Sequence, residues 1–493
     1  MNFSRDIVEA MPPGRPALIE LSATGERRVW SFGEVSDASA RLAGRLLELG
    51  ARRGDVVMTL IGNRPEWVIG MLACFRVGLV VLPCTEQLRA KDLALRLRAA
   101  HPRAVLVDPR NMDELWSAIE FSSGGGAGAP AVLVLPGEEL LAGPPAPAVE
   151  LSAQDDCLIT FTSGTSGPPK GVVHGQRYLF GQRLQAESWL GSRPGDVVWC
   201  TASSGWSKSA RNAFIAPWLT GATALLFDGR FDPEERLAIV EQEQVAVWCM
   251  APTEYRAIAR RARLRPLPSI RQMVAAGEAL NAEILLHFRE VTGLDIRDGF
   301  GQTETGQLTG MPPAGVVRPG SMGRALPGIE LAIEDGELVV EPATVPTFFM
   351  RYLDAEAPNG PWRTGDRVHR DEDGFLYFEG RIDDVIISSG YRIGPVEVES
   401  ALLTHDSVAE SAVVAAPDPE RGSIVRAIVV LRGGYEPSVA LAEELKQHVK
   451  EQTAPYKYPR VVEFTTALPK TTSGKILRGA LRGERLKSTE EGP

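Results

Sequence analysis

Residues 157–171 read CLITFTSGTSGPPKG, an apolar run followed by a loop of Gly, Ser and Thr that ends in Pro169-Lys170-Gly171. The apolar run predicts a buried β-strand. Glycines allow tight turns that expose backbone N–H groups, hydroxyls add donors and a lysine adds positive charge, so the loop suits a polyphosphate. It is not a Walker A motif, because Gly171 follows Lys170 where a metal-binding hydroxyl is required. A flexible Ser/Gly loop is the alternative, and the strand before it and the lysine after it disfavour that interpretation.

Around this loop, over residues 150–300, short β-branched runs alternate with helical stretches, which predicts parallel βαβ units and an α/β fold. The predicted strands are 104–107, 131–135, 157–161, 197–202, 222–227, 245–250 and 272–275, and the predicted helices are 177–190, 233–243 and 283–291. Beyond residue 330, short strands and a tight turn at Asp373-Gly374 predict a β-rich subdomain. A small α+β domain follows, with predicted helices near 395–403 and 439–450 and strands near 408–415 and 424–431.

Composition excludes several classes of protein. The 493 residues carry 53 Lys+Arg against 63 Asp+Glu, a net charge of -10, and 44% are hydrophobic. A disordered chain is therefore excluded, and general binding to nucleic acid or to an anionic membrane is not expected. The apolar stretch 67–84 contains Arg76, Gly78 and Pro83 and predicts a buried helix leading into a strand, not a membrane span.

The cysteines indicate the compartment. They are odd in number, widely spaced and without a CxxC pair, so they predict buried free thiols in a reducing compartment, the cytoplasm. They are Cys74, Cys84, Cys157, Cys200 and Cys249. The N-terminal stretch shows no apolar signal-peptide region, which agrees with a cytoplasmic location.

Further motifs follow the glycine-rich loop in order along the chain. They are DGFGQTE (298–304), WRTGD (362–366), GRIDD (380–384), SSGYRIGP (388–395) and PKTTSGKILR (469–478). The aromatic ring in the first offers stacking area for a base, and its hard carboxylate suits Mg²⁺. The aspartate in the second is acceptor-only and can take both hydroxyl protons of a ribose. Each motif alone is more typical of a turn, a linker or a surface lysine.

Together the motifs resemble those of the adenylate-forming superfamily, which comprises acyl-CoA synthetases, carrier-protein adenylation domains and beetle luciferases. Residues 388–402, 415–422 and 453–460 are most similar to the medium-chain acyl-CoA synthetases. The resemblance implies an acid:CoA ligase that uses ATP, Mg²⁺ and coenzyme A to form first an acyl-adenylate and then an acyl-CoA. It also implies a large N-terminal domain, residues 1–382, of parallel-rich αβ subdomains plus a β-rich subdomain, and a small mobile C-terminal domain, residues 383–493. No nucleic acid or membrane span is expected, and a homodimer is left open.

The resemblance also implies roles for individual residues. The catalytic residues would be Thr303, Glu304, which also holds Mg²⁺, and Lys475. The ATP- and AMP-binding residues would be Thr162, Ser163, Gly164, Thr165, Ser166, Gly167, Lys170, Gly299, Phe300, Asp366 and Arg381. The CoA-binding residues would be Ser389, Gly390, Tyr391 and Arg392, with the hinge between the two domains at Asp383.

The implied acyl pocket contains Trp206, Lys208, Arg211, Ala276 and Gly277. Lys208 and Arg211 stand where the medium-chain enzymes tend to have apolar side chains, and their i, i+3 spacing predicts one shared helical face. Two hypotheses are equally open: the pair recognises a polar or acidic acyl group, or the face points to solvent. A second departure from the family is the shortened segment 347–362, which precedes Asp366.

Four other functions share these motifs. They are an enzyme proficient in only one half-reaction, a nucleotide-binding pseudoenzyme, a luciferase-like oxidase and an adenylate donor to a carrier protein. The presence of Lys170, Glu304, Asp366 and Lys475 together disfavours the pseudoenzyme, because a decayed site should have lost some of them.

Overall fold

The computed structural model describes residues 1–122, 129–137, 140–162, 169–277, 282–357, 359–388, 391–419, 421–471 and 475–483. The elements up to residue 200 are β1 Pro16–Leu21, β2 Arg27–Ser31, α1 Phe32–Glu48, β3 Val56–Leu60, α2 Pro65–Val77, β4 Val80–Cys84, α3 Ala90–Ala100, β5 Ala104–Val107, α4 Met112–Ser122, β6 Ala131–Val134, β7 Asp156–Phe161, β8 Gly171–Gly175, α5 Arg177–Gln185 and β9 Val197–Cys200. Between 200 and 310 follow α6 Ser207–Ala210, α7 Ala216–Leu219, β10 Thr223–Phe227, α8 Pro233–Gln242, β11 Val247–Met250, α9 Pro252–Arg261, β12 Gln272–Ala276, α10 Ala282–Thr292, β13 Ile296–Gln302 and β14 Gly306–Gly310.

The rest of the chain is richer in strands. Its elements are β15 Arg324–Ala325, β16 Leu331–Glu334, β17 Glu337–Val340, β18 Arg351–Tyr352, β19 Trp362–Arg370, β20 Leu376–Arg381, β21 Ile386–Ser388, β22 Tyr391–Ile393, α11 Pro395–Leu403, β23 Val408–Asp418, β24 Gly422–Leu431, α12 Val439–Gln452, β25 Val461–Phe464 and α13 Arg478–Gly483. All the predicted strands and helices are present. Strand β9 ends at Cys200 and β6 at Val134, one or two residues earlier than the apolar runs suggest.

Two parallel-rich sheets form the N-terminal body. In the described residues one sheet has the order β18-β8-β7-β4-β3-β5-β6, and the other β15-β14-β13-β12-β11-β9-β10-β1-β2. Strands β9 to β13 pair in parallel in the second sheet, as predicted. Strand β7, the CLITF run, lies in the first sheet instead, parallel to β4 and antiparallel to β8. The glycine-rich loop therefore connects two strands of the first sheet. The DGFGQTE motif belongs to the second sheet.

The apolar stretch 67–84 is a buried helix and strand, as predicted. Every residue of α2 is buried, Pro65 opens it, and Gly78 ends it in the left-handed conformation with φ 74°. The Arg76 guanidinium, 6% exposed, donates from Nε to the carbonyl of Ala146 at 2.7 Å. In the part of the chain that the structure describes, no helix has the length and apolarity needed to cross a bilayer. All five cysteines are buried free thiols.

A β-rich subdomain and a smaller domain complete the fold. Strands β16, β17, β19 and β20 form an antiparallel sheet, in which Gly374, with φ +85°, turns β19 into β20. After it, β23, β24 and β25 pack with α11 and α12 around a separate core that includes Ile386, Val398 and Leu445. The fold class is therefore the predicted one, a large N-terminal domain and a small α+β C-terminal domain.

Candidate active site

The base of the glycine-rich loop is closed by two hydrogen bonds. The Thr162 backbone N–H donates to the Lys170 carbonyl at 2.9 Å, and the Lys170 N–H donates to Thr162 Oγ1 at 3.1 Å. These bonds continue the antiparallel pairing of β7 with β8, so Lys170 leaves the loop at a fixed place. The predicted loop residues Ser163, Gly164, Thr165, Ser166 and Gly167 lie outside the described residues.

A tyrosine that the sequence did not predict joins the two ends of the phosphate site. The Lys170 Nζ lies 5.2 Å from the centroid of the Tyr352 ring, and the Tyr352 hydroxyl donates to Glu304 Oε1 at 3.1 Å. Burial, together with the Glu304 charge, raises the pKa of Tyr352, so its hydroxyl stays a donor. Its position comes from β18, which pairs Tyr352 with Val172 of β8. The only sequence signal was an aromatic residue inside the shortened segment.

Thr303 and Glu304 occupy the turn between β13 and β14, as a binding motif at the end of a strand should. The Gln302 N–H donates to Thr305 Oγ1 at 3.1 Å, and the Phe349 N–H donates to the Glu304 carbonyl at 2.8 Å. The shortened segment thus holds the turn from outside, and Glu304 presents a carboxylate with a single neutral hydrogen-bond donor among the described residues.

The two predicted residues of β13 are differently placed. Phe300 is half-buried between the large core and the β-rich subdomain. Gly299 is buried where a Cβ would lie 2.8 Å from Trp189 Nε1. Only glycine therefore fits at position 299 without movement of Trp189.

Asp366 is the most constrained carboxylate of the site. It is 4% exposed, and it accepts from Gln302 Nε2 at 2.6 Å and from Arg381 Nη1 at 3.0 Å. Burial raises the pKa of Asp366, and the charges of Arg381 and Lys475 oppose that shift. The Trp362 indole N–H donates to Gln302 Oε1 at 2.9 Å and so orients the Gln302 amide. Gln302 and Trp362 lie within the predicted motifs, but the sequence did not predict that they orient Asp366.

Lys475 of the C-terminal domain acts on Asp366 through its charge. It is exposed, and its loop is closed by the Thr471 N–H, which donates to the Lys475 carbonyl at 2.7 Å. Burial raises the pKa of Asp366, and the positive charge of Lys475 opposes that rise across the two domains. Two motifs that are far apart in sequence are therefore coupled electrostatically.

Of the predicted hinge and CoA residues, the structure describes Asp383 and Tyr391 in full. Asp383 is exposed in a 3₁₀ turn, and its carbonyl accepts from Arg482 Nη2 at 3.0 Å. Its neighbour Asp384 forms an ion pair with Arg482. Tyr391 is 52% exposed and stacks on Tyr456 of the same domain, with ring centroids 4.4 Å apart. Ser389 and Gly390 lie outside the described residues, as does the side chain of Arg392.

The acyl-pocket residues are partly brought together. The Lys208 Nζ donates to the Ala276 carbonyl at 3.2 Å and lies 3.3 Å from where a Cβ on Gly277 would be. Arg211 is 4% exposed, so it does not point to solvent. The pair spans a change of helix type, because α6 ends at Ala210 and Arg211 begins a π-helical turn, 211–215, so the shared face stays a prediction. Trp206 is the N-cap residue of α6 and lines a small cleft together with Thr85 and Phe161.

Comparison with protein families decides the class. Residues 6–346 match the AMP-binding enzyme family, and residues 397–475 match the AMP-binding enzyme C-terminal domain. The chain belongs to the AMP-binding enzyme family. The family model covers the glycine-rich loop and the DGFGQTE motif, and the C-terminal model ends at Lys475. Asp366 and Arg381 lie in the interval between the two matches.

Relatives of the whole chain agree with this membership. The chain is 38% identical to the uncharacterized acyl-CoA ligase YtcI of Bacillus subtilis (strain 168), over 97% of this chain and 95% of that one. It is 35% identical to the human mitochondrial acyl-coenzyme A synthetase ACSM3, over 99% and 90% of the two chains. Among solved structures, the benzoate CoA ligase of Burkholderia xenovorans LB400 matches with a TM-score of 0.87 at 29% identity, covering 98% of this chain and all (100%) of that one.

The residues present fit a magnesium ion carried by ATP. Among the described residues no group of three or more His, Cys, Asp or Glu side chains could form a metal cage. Mg²⁺ usually needs only one or two carboxylates when phosphates supply its other ligands. Glu304 is such a carboxylate, because Tyr352 occupies only one of its oxygens with a hydrogen bond.

Proposed function

We propose that the protein is an AMP-forming acid:CoA ligase in which Lys170, Glu304, Asp366 and Lys475 bind and activate ATP. The observation that supports this proposal is the position of Asp366, which accepts from Gln302 Nε2 at 2.6 Å and from Arg381 Nη1 at 3.0 Å, while the charge of Lys475 in the C-terminal domain also acts on it. A lysine there would lie between the ribose and the α-phosphate, where charge develops during adenylation.

In the first half-reaction a carboxylate oxygen of the acid attacks the α-phosphorus of ATP, and the bond to the β-phosphate breaks to release pyrophosphate. Lys475 would attract the acid carboxylate and the α-phosphate together, which places them for in-line attack. Lys170 would neutralise negative charge on the leaving pyrophosphate. Tyr352, which contacts both Lys170 and Glu304, would fix the distance between them. Mg²⁺, held by Glu304, would neutralise charge on the phosphates.

In the second half-reaction the CoA sulfur attacks the acyl carbon, and the bond between that carbon and the AMP oxygen breaks. AMP leaves with the oxygen on its phosphate, and the thiol proton passes to solvent. Lys475 must withdraw before the thiol can approach from the C-terminal side. The 3₁₀ turn at Ile382–Asp384 is the proposed hinge, because it links the β-rich subdomain to a domain with its own core. We propose the domain boundary there, between residues 382 and 383. The buried free thiols favour the cytoplasm as the working compartment.

The test is pyrophosphate and AMP release against a panel of aliphatic, aromatic and dicarboxylic acids, each with and without CoA. We expect at least one acid to release pyrophosphate, and its thioester to form when CoA is added. If pyrophosphate is released but no thioester forms with any acid, the protein catalyses only the first half-reaction. No release with any acid, in protein that binds ATP, would contradict the proposal and favour a pseudoenzyme.

A further inference from the structure

Two cations of the predicted acyl pocket have no anionic partner among the residues that the structure describes. No carboxylate in those ranges lies within ion-pair distance of Lys208 or Arg211, and the Lys208 Nζ has one acceptor there, the Ala276 carbonyl. An ammonium group has three donors, so Lys208 keeps capacity for a ligand. Glu254, an acid of the neighbouring helix α9, is engaged by Thr201 and by Arg236.

Arg211 is the more unusual of the two. It is 4% exposed, and its Nε and Nη1 atoms have no hydrogen-bond partner within the described ranges. Burial lowers the pKa of His174 to about 3 and raises the pKa of Tyr178, so these two neighbours are neutral, although the charge of Arg211 and its hydrogen bond with Tyr178 oppose the second shift. A guanidinium buried without an anion is strongly unfavourable. It also stands at the first residue of a π-helical turn, a local geometry frequent at functional sites.

Buried polar atoms continue from Arg211 to the nucleotide motif. Gln185 Nε2 donates to Asn212 Oδ1 at 3.0 Å, which leaves Gln185 Oε1 and Asn212 Nδ2 without partners in the described structure. Trp189 Nε1 and Gln307 Oε1 are likewise buried and unpaired, and both residues adjoin Gly299 of β13. Buried unpaired polar atoms are rare in proteins and mark bound water or a ligand. An apolar acyl chain would satisfy none of them.

We propose that Arg211, with Lys208 nearer the surface, binds a second carboxylate on the substrate acid, so that the enzyme activates short dicarboxylic acids in preference to monocarboxylic acids of the same length. The inference rests on the proposed acid:CoA ligase function. Arg matches a carboxylate through two parallel N–H donors, and Lys adds a point charge. A neutral hydroxyl or amide on the substrate would satisfy hydrogen bonds and leave both charges uncompensated.

The first test uses the wild-type protein and paired acids: butanoate with succinate, pentanoate with glutarate, hexanoate with adipate, and benzoate with the benzenedicarboxylates. Pyrophosphate release gives kcat/KM for each acid. In at least one pair we expect the dicarboxylate to be preferred at least about tenfold, because a buried cation is left unpaired by the other acid.

The second test uses variants. Arg211→Met keeps the volume and removes the charge, and it should lower kcat/KM for the preferred dicarboxylate about 100-fold while the matched monocarboxylate holds or gains. Lys208→Met should act in the same direction with a smaller effect, and Arg211→Lys should retain part of the preference. Arg76→Met is the matched control, because it removes another buried arginine, on α2. It should lower Tm and leave the ratio of the two acids unchanged.

The outcomes separate the inference from the function on which it rests. If every wild-type pair favours the monocarboxylate, or if Arg211→Met leaves the ratio unchanged, the inference is wrong and the ligase function stands. If no acid releases pyrophosphate, the ligase function itself fails. Should Arg211→Met not fold, the wild-type pairs and Lys208→Met decide the matter on their own.

Discussion

The nucleotide end and the acyl end of the site treat their buried polar groups in opposite ways. At the nucleotide end, Asp366 is held by Gln302 and Arg381 at hydrogen-bond distance. At the acyl end, Arg211 is as deeply buried, and two of its nitrogen atoms have no partner among the described residues. We infer that the carboxylate at the first end is held in place by the protein itself, whereas Arg211 at the second end is left for a ligand. The comparison indicates that specificity for the acid resides in the acyl end. Substitutions at each end test this difference.

The largest effect should come from Lys475, whose charge acts on Asp366 from the C-terminal domain. Lys475→Ala should reduce acid-dependent pyrophosphate release about 1,000-fold, because it removes a charge positioned where the transition state becomes more negative. Lys470→Ala is the control on the same loop, since Lys470 is engaged with Glu410 at 2.6 Å. Equal losses in the two variants, measured by stopped-flow pyrophosphate detection, would contradict the assigned role of Lys475.

The nucleotide end should depend on one carboxylate. Asp366→Asn keeps the side-chain size but removes the charge and replaces one of the two acceptor oxygens by an NH2 donor, so kcat/KM for ATP should fall about 100-fold, mainly through KM. Asp373→Asn, at the exposed turn between β19 and β20, should leave ATP kinetics unchanged. An unchanged KM for ATP in Asp366→Asn would show that the ribose binds elsewhere.

The link between Lys170 and Glu304 should be worth less. Tyr352→Phe keeps the ring beneath Lys170 and removes the hydroxyl that donates to Glu304, so kcat/KM for ATP should fall about fivefold. The Mg²⁺ concentration needed for half-maximal rate should change with it. Tyr377→Phe removes a hydroxyl bonded to Asp371, outside the site, and serves as the control. Identical Mg²⁺ dependence in all three proteins would exclude a positioning role for Tyr352.

The smallest effect should be on pH dependence. Burial raises the pKa of Asp366, so on acidification it takes up a proton while ordinary aspartates are still ionised. The protonated form has lost acceptor capacity, so KM for ATP should rise toward mildly acidic pH in the wild type and stay flat in Asp366→Asn. For folding the sign is the reverse: the folded state holds this proton more tightly than the unfolded chain, so its contribution to the free energy of unfolding is lost as pH rises through the folded pKa. A flat wild-type profile of KM would contradict the assignment.

The nucleotide end could largely be predicted from sequence, because each of its parts is a contiguous motif on a strand end or turn. The strand CLITF, the DGFGQTE turn and the β19–β20 pair lie where their patterns placed them. Tyr352 could not be predicted, since it reaches Glu304 only through the pairing of β18 with β8, a contact set by the tertiary fold. The same holds for the electrostatic coupling of Lys475 with Asp366, because the two residues lie in different domains.

The acyl end was less predictable. The spacing of Lys208 and Arg211 indicated a shared face only on the assumption of a regular α-helix, and the change to a π-helical turn at Arg211 removes that assumption. Burial of a charged side chain has no local sequence signature, because the pattern of charges around residue 211 is equally typical of a solvated surface. The fate of Arg211 depends on how α5 and the two sheets pack, which sequence periodicity does not report.

A single-turnover experiment shows whether one site forms an acyl-adenylate and then transfers its acyl group to a thiol. Enzyme is mixed with ATP and a preferred acid in the absence of CoA, the excess ATP is removed, and CoA is then added. We expect a burst of one pyrophosphate per active site in the first step, and thioester formation without further ATP in the second. No burst before CoA is added, with pyrophosphate appearing only together with thioester, would contradict it.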